Sequence, residues 1–143
     1  MTSWQPKTIK RLRLGRAHWD AMLEHVRQNA PEEACGLLGG LNGQVTRVYT
    51  VENVLHSRVE YTMDAAAQVR AMMEIEAAGE EVCGIFHSHP TGPPVPSQTD
   101  VERSYYPDSV YIIMSPSASG GWIGRGFQIE DGKVREVEVE IGA

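Results

Sequence analysis

Hydrophobic and polar positions recur along this chain with two periods, and the switches between them mark out strands and helices. Ile9, Leu12 and Leu14 alternate imperfectly with basic residues and predict an opening strand over residues 7 to 14. From Gly15 to Asn29 the period lengthens, with Trp19, Met22, Leu23 and Val26 at helical spacing and Pro31 ending the run. That predicts an amphipathic helix packed on a sheet. Ala34 to Leu41 and Gln44 to Asn53 flank Asn42-Gly43, a strong turn signal, and predict a hairpin. Tyr61 and Thr62 predict a short strand. Asp64 is placed to cap a second helix running to Ala78, with Val69, Met72, Met73 and Ile75 as its core face and Gly79 as terminator. Glu81 to His89 reads as a central strand with Val82, Ile85 and Phe86 apolar. A short helix from Ser97 to about Tyr105 follows and stops before Pro107. Ser109 to Ser115 reads as another buried strand, and Trp122 to Glu130 with Lys133 to Ile141 form a terminal hairpin about Asp131-Gly132. Strands interleaved with helices, without repeats or a linker, predict one α/β domain over residues 1–143.

The polar residues at the end of the central strand carry the chemistry. In an extended strand, side chains at i and i+2 leave the same face, so His87 and His89 can present two imidazoles to one point. The segment Pro90 to Pro96 holds four prolines in seven residues, which forbid helix and make a stiff turn. Asp100 can return from that turn to face the histidines. Two His and one carboxylate are three protein ligands, the count for a zinc that keeps a fourth position open; closed structural sites use four and usually lean on cysteine. Hydrolysis at such a site also needs a base. Glu33 is the candidate, an acid at the mouth of the apolar strand that holds Leu37 and Leu38.

Each residue also has a plainer reading. Ser97-Gln98-Thr99-Asp100 fits a helix N-terminus, with Ser97 as N-cap and Asp100 at N3. His-x-His at a strand end can be an exposed polar corner, and Glu33, like Glu32, can be a loop acid. Capping and ligation are compatible, because Asp100 can bind metal from the first turn.

Glu33-Ala34-Cys35-Gly36, then His87-Ser88-His89-Pro90, then Ser97-Gln98-Thr99-Asp100 together resemble the motif of the JAMM (MPN+, Mov34/MPN/PAD-1) zinc metallopeptidases: Glu, His-x-His, seven residues, Ser, two residues, Asp. The resemblance implies one Zn2+ per chain held by His87, His89 and Asp100, with Glu33 as general acid/base and Ser97 stabilising the oxyanion. Ser88 receives no role. It also implies a cytidine-deaminase-like three-layer arrangement, a mixed β-sheet flanked by helices. The family cleaves peptide or isopeptide bonds after the C-terminal tail of a ubiquitin-like protein, and such a tail could lie beside a sheet edge. The run Glu32 to Gly36, the segment Val95 to Val101 and the hairpin at Ile129 to Gly132 are similar to the bacterial stand-alone branch of Mec-type hydrolases. That branch acts on a sulfur-carrier protein ending in Gly-Gly and releases cysteine from a carrier adduct.

Composition narrows the rest. A formal charge of −6 with scattered basic residues, apart from Lys7, Lys10, Arg11 and Arg13, argues against nucleic acid as partner. The longest apolar run, Val110 to Met114, is far short of the ~20 residues that span a bilayer, so no membrane is expected and the chain is read as cytoplasmic. Cys35 and Cys83 sit in apolar contexts as free thiols, which disfavours a Cys/His hydrolase. His18 and His25 share one surface face, His56 lies in a loop, and none has a visible partner. Zinc deamination needs His-x-Glu and Pro-Cys-x-x-Cys, and a thermolysin-like protease needs His-Glu-x-x-His; the chain has none of these. Two non-enzymatic readings stay open: an MPN-type scaffold without catalysis, and a module that binds a carrier tail without cutting it. The terminal hairpin could offer an edge for a homodimer.

Overall fold

The structure, a computed structural model, describes residues 8–143. Lys7, where the opening strand was expected to begin, lies outside the described residues. The strand itself, β1, spans Arg11–Leu14 and alternates exposed arginines with buried Leu12 and Leu14. The helix α1 (Arg16–Asn29) follows and buries Trp19, Met22 and Val26. The hairpin of β2 (Cys35–Leu41) and β3 (Gln44–Val51) turns on Asn42 and Gly43, with φ of 53° and 77°. Positive φ at both central residues is what the tight primed turn requires, and Asn-Gly accepts it at little cost. The terminal hairpin, β6 (Trp122–Glu130) with β7 (Lys133–Ile141), repeats the device with Asp131 and Gly132 at φ of 50° and 76°.

Between the hairpins lie α2 (Ala65–Ala77), β4 (Glu81–Ser88), α3 (Gln98–Glu102) and β5 (Val110–Pro116). Asp64 caps α2 as expected, its carboxylate accepting from the Ala67 amide at 2.9 Å. The core face of α2 keeps Met72 and Ile75 of the expected residues but takes Ala67 and Ala71 in place of Val69 and Met73. Val69 and Met73 are 54% and 63% exposed, whereas Ala71 and Ile75 are buried and Met72 is half-buried. The helix docks through Ala67, Ala71 and Ile75, one residue every turn, and Ile75 lies so close over Gly39 that a Cβ there would stand 2.9 Å from it. Small residues along that stripe let the helix approach the sheet, and the bulkier Val69 and Met73 are left outside. The short strand expected at Tyr61 and Thr62 is reduced to an isolated bridge between Asn53 and Met63. The helix after Ser97 is one turn long.

The sheet is mixed, in the order β1-β3-β2-β4-β5-β6-β7. β4 and β5 are parallel, while β2 is antiparallel to both β3 and β4. β1 pairs in parallel with β7 on one side and β3 on the other, so the order closes into a ring. β1 covers only the Glu138–Ile141 end of β7 and meets β3 at the single pair Arg13–Gln44, so among the described residues the ring closes through short contacts. Alternate residues of the central strands feed two cores. Leu38, Phe86, Ile112 and Met114 pack with α1 on one face. Leu37, Ile85, Tyr111 and Ile113 pack with Ala71 of α2 on the other. Mixed sheet and flanking helices thus match the α/β expectation. Among the described residues, no helix is long and apolar enough to cross a membrane.

Candidate active site

Strand register brings the first three residues together. Cys35 of β2 pairs with His87 of β4 in an antiparallel ladder. Two residues further on, Glu33 therefore arrives beside His89, on the face that His87 also uses. The ladder is extended by Ser88 N donating to Ala34 O at 3.0 Å, and on the other side His89 N donates to Met114 O of β5 at 2.8 Å. All three side chains are buried: Glu33 is 3% exposed, His87 1% and His89 7%. Their ligand atoms lie within 4.8 Å of one another, a group that could hold a metal ion.

The proline-rich loop and α3 deliver the fourth residue. Asp100 Oδ2 lies 3.2 Å from His87 Nε2 and 3.0 Å from His89 Nε2, and the two imidazole nitrogens are 3.1 Å apart. Four ligands at the ~2.0–2.2 Å typical of Zn–N and Zn–O bonds stand ~3.4 Å from one another in a tetrahedron, so this triangle needs only a few tenths of an ångström of expansion to accept an ion. His89 Nδ1 donates to the Pro93 carbonyl at 2.8 Å, which fixes the tautomer and leaves Nε2 to ligate. The donor set and its outer hydrogen bond both fit a zinc-type centre.

Ser97 occupies the N-cap of α3. Its hydroxyl accepts from the Asp100 amide at 3.0 Å, and its own amide donates to Asp100 Oδ2 at 2.9 Å, a complete capping box. The plainer reading of this segment is therefore realised, and it coexists with the approach of Asp100 to both histidines. Ser97 Oγ still has a hydrogen to donate.

Charges in the site follow from burial. Desolvation pushes the Glu33 carboxyl up to about 8, although the nearby His89 pulls against it. Glu33 Oε1 has no hydrogen-bond partner among the described residues. Burial would raise Asp100 too, but hydrogen bonds from His87 and His89 hold it far below the usual carboxylate range. Burial lowers His87; in His89 the same effect is outweighed by the Asp100 hydrogen bond, and its pKa rises. Burial also pushes the Cys35 thiol up to about 12, consistent with packing rather than nucleophilic use.

Several participants were invisible in the sequence pattern. Tyr61 stacks on His87, ring centroids 4.6 Å apart. A cavity of about 260 Å³ opens beside His87 and Asp100, with Tyr61, Met63, Ile113 and Tyr111 in its wall and Arg103 at its rim. Asn53 and Ser88 hydrogen-bond to the two ends of the peptide group that follows Glu33, at Glu33 O and Ala34 N. Two of the remaining histidines have partners after all. His25 Nε2 lies 3.1 Å from Cys35 O and 3.3 Å from Val51 O, tying α1 to the hairpin, and His56 lies between Glu32 and Glu52.

Comparison with known proteins adds a family. A sequence profile described as prokaryotic homologs of the JAB domain matches residues 15–127. A desampylase of Haloferax volcanii is 39% identical over 131 residues, covering 85% of this chain and 94% of that protein. A CysO-cysteine peptidase of Mycobacterium tuberculosis is 33% identical over 124 residues, covering 85% of each. A solution structure of a protein from Desulfitobacterium hafniense superposes with a TM-score of 0.80 at 34% identity, covering 91% of this chain and 92% of the other.

Proposed function

Because the chain belongs to the family of prokaryotic homologs of the JAB domain, we propose that it is a zinc-dependent peptidase acting on the C-terminal tail of a ubiquitin-like or sulfur-carrier protein. The observation that carries this reading is the convergence of His87, His89 and Asp100 at 3.0–3.2 Å beside the buried carboxyl of Glu33. His87, His89 and Asp100 hold one Zn2+; Asp100 fits better than Glu33 as the third ligand because its oxygen already touches both imidazoles. Zinc bound there supplies a Lewis acid and an acidified water. Glu33 takes the proton from the attacking water at its carboxylate and returns it to the leaving nitrogen. A buried carboxyl next to the attacking water can take up and return one proton within the site. Ser97 keeps the cap through its oxygen and donates its O–H to the oxygen that gains charge.

The relatives indicate the substrate class, since one is named for desampylation and another for cleaving a CysO-cysteine bond. We extend both to a Gly-Gly-type tail, with cysteine, lysine or a peptide as leaving group. The tail enters the cleft beside His87 lined by Tyr61, Met63 and Tyr111. The two cores on opposite faces of one sheet support a single domain with a cytidine-deaminase-like three-layer description. Two buried free thiols support a cytoplasmic setting.

The test is a cleavage assay on a carrier protein extended past Gly-Gly by cysteine or linked to lysine. Loss of the extension in mass, abolished by a chelator and restored by Zn2+, is expected. Stable complex formation without mass loss would instead favour a tail-binding module.

A further inference from the structure

Glu33 reaches the site with no hydrogen bond to fix its Oε1, so the aim of its carboxyl is set by the backbone that carries it. Three polar main-chain groups next to its Cα are pinned, two from the loop after β3 and one from β4. Glu33 N donates to Ser57 O at 2.8 Å. Glu33 O accepts from Asn53 Nδ2 at 3.0 Å. The next amide, Ala34 N, donates to Ser88 Oγ at 2.9 Å.

We infer that Asn53 and Ser88 are positioning residues for the general acid/base, a role that rests on Glu33 performing that chemistry. Ser88 is fully buried and sits between the two histidines, its side chain on the opposite face of the strand, so its hydroxyl ties the strand that carries His87 and His89 directly to the peptide that carries Glu33. Any shift between metal ligands and base must stretch that bond. Asn53, 5% exposed, uses all four of its hydrogen-bonding positions. Beside Glu33 O, its amide donates to Glu60 O at 3.2 Å, and its Oδ1 accepts from Leu55 N and Thr62 N, both at 3.1 Å. One side chain thus sets both the base and the loop whose Tyr61 lies on His87. Saturation of a buried amide in this way leaves it a single orientation.

The experiment compares Ser88→Ala, Ser88→Thr and Asn53→Asp with wild type. Asn53→Asp keeps the two acceptor bonds to Leu55 N and Thr62 N and removes both donor bonds, to Glu33 O and to Glu60 O. Turnover is followed on a fluorogenic peptide ending in Gly-Gly-aminomethylcoumarin, and zinc content and amide hydrogen exchange are measured alongside. Displacement of a catalytic group by up to ~1 Å costs as much as ~100-fold, so Ser88→Ala and Asn53→Asp should lose ~10-fold or more in kcat. KM and zinc content should stay within ~2-fold of wild type, and Ser88→Thr should recover most of kcat because it restores the hydroxyl. In metal-free protein, exchange at the Ala34 amide should accelerate in Ser88→Ala and slow again in Ser88→Thr. Unchanged kcat, or a loss confined to KM or zinc content, would overturn the inference while leaving the hydrolase reading intact. Wild type unable to turn over the peptide or a carrier adduct would contradict that reading itself.

Discussion

A carboxyl that is 3% exposed with an unpartnered oxygen is costly, and the cost depends on its charge. The folded protein accepts Glu33 neutral: its pKa is 4.5 in the reference state and about 8 here. The stabilisation is therefore complete below the unfolded value and is lost as pH rises through about 8. Asp100 works in the other direction, contributing stability above its ordinary value of 3.8 that disappears in acid. The two windows do not overlap. Metal-free wild type should lose melting temperature between pH ~5 and ~8.5, and Glu33→Gln should lose distinctly less over the same range. His89, whose raised pKa also drains stability as pH rises, is raised against burial by Asp100 and in part by Glu33, so Glu33→Gln weakens that loss too and both effects flatten the slope in the same direction. Equal slopes would contradict the burial account. The motif residues were legible because i and i+2 on a strand, a proline turn and a capping serine each fix a direction. Asn53 and Ser88 were not, because hydrogen bonds to a distant backbone leave no period in the sequence.

The hairpins and helices were legible wherever a local rule decides the geometry, as at Asn42-Gly43, Asp131-Gly132 and Asp64. The phase of α2 was legible only in part, since Met72 and Ile75 face inward as expected and Val69 and Met73 do not. Val69 and Met73 are large and apolar, but docking is decided by what fits over Gly39, and that stripe belongs to Ala67, Ala71 and Ile75. Ile75→Ala should destabilise by ~2–5 kcal/mol and Met73→Gln by no more than ~0.5 kcal/mol in denaturant melts; the reverse order would mean that α2 is rotated. The single turn of α3 carries two duties at Ser97. Ser97→Ala removes a cap worth ~1 kcal/mol and, if the hydroxyl also meets the oxyanion, lowers kcat ~100-fold at saturating zinc. A weakened fold with an unchanged kcat would leave Ser97 the capping role alone.

At the scale of the whole molecule, closure of the sheet is what pattern reading missed. β1 is four residues long and pairs in parallel with strands at opposite ends of the order, contacts far apart in sequence that no local period encodes. The cavity beside His87 is lined by Tyr61, Met63 and Tyr111. Everything proposed for the molecule depends on which carboxylate the metal uses. Zinc per chain, measured by elemental mass spectrometry in wild type, Glu33→Gln and Asp100→Ala, decides this most directly. The account predicts about one zinc in wild type and Glu33→Gln and almost none in Asp100→Ala. Zinc retained by Asp100→Ala and lost from Glu33→Gln would make Glu33 the ligand and contradict it, and a wild type that binds no zinc would contradict the metallopeptidase itself.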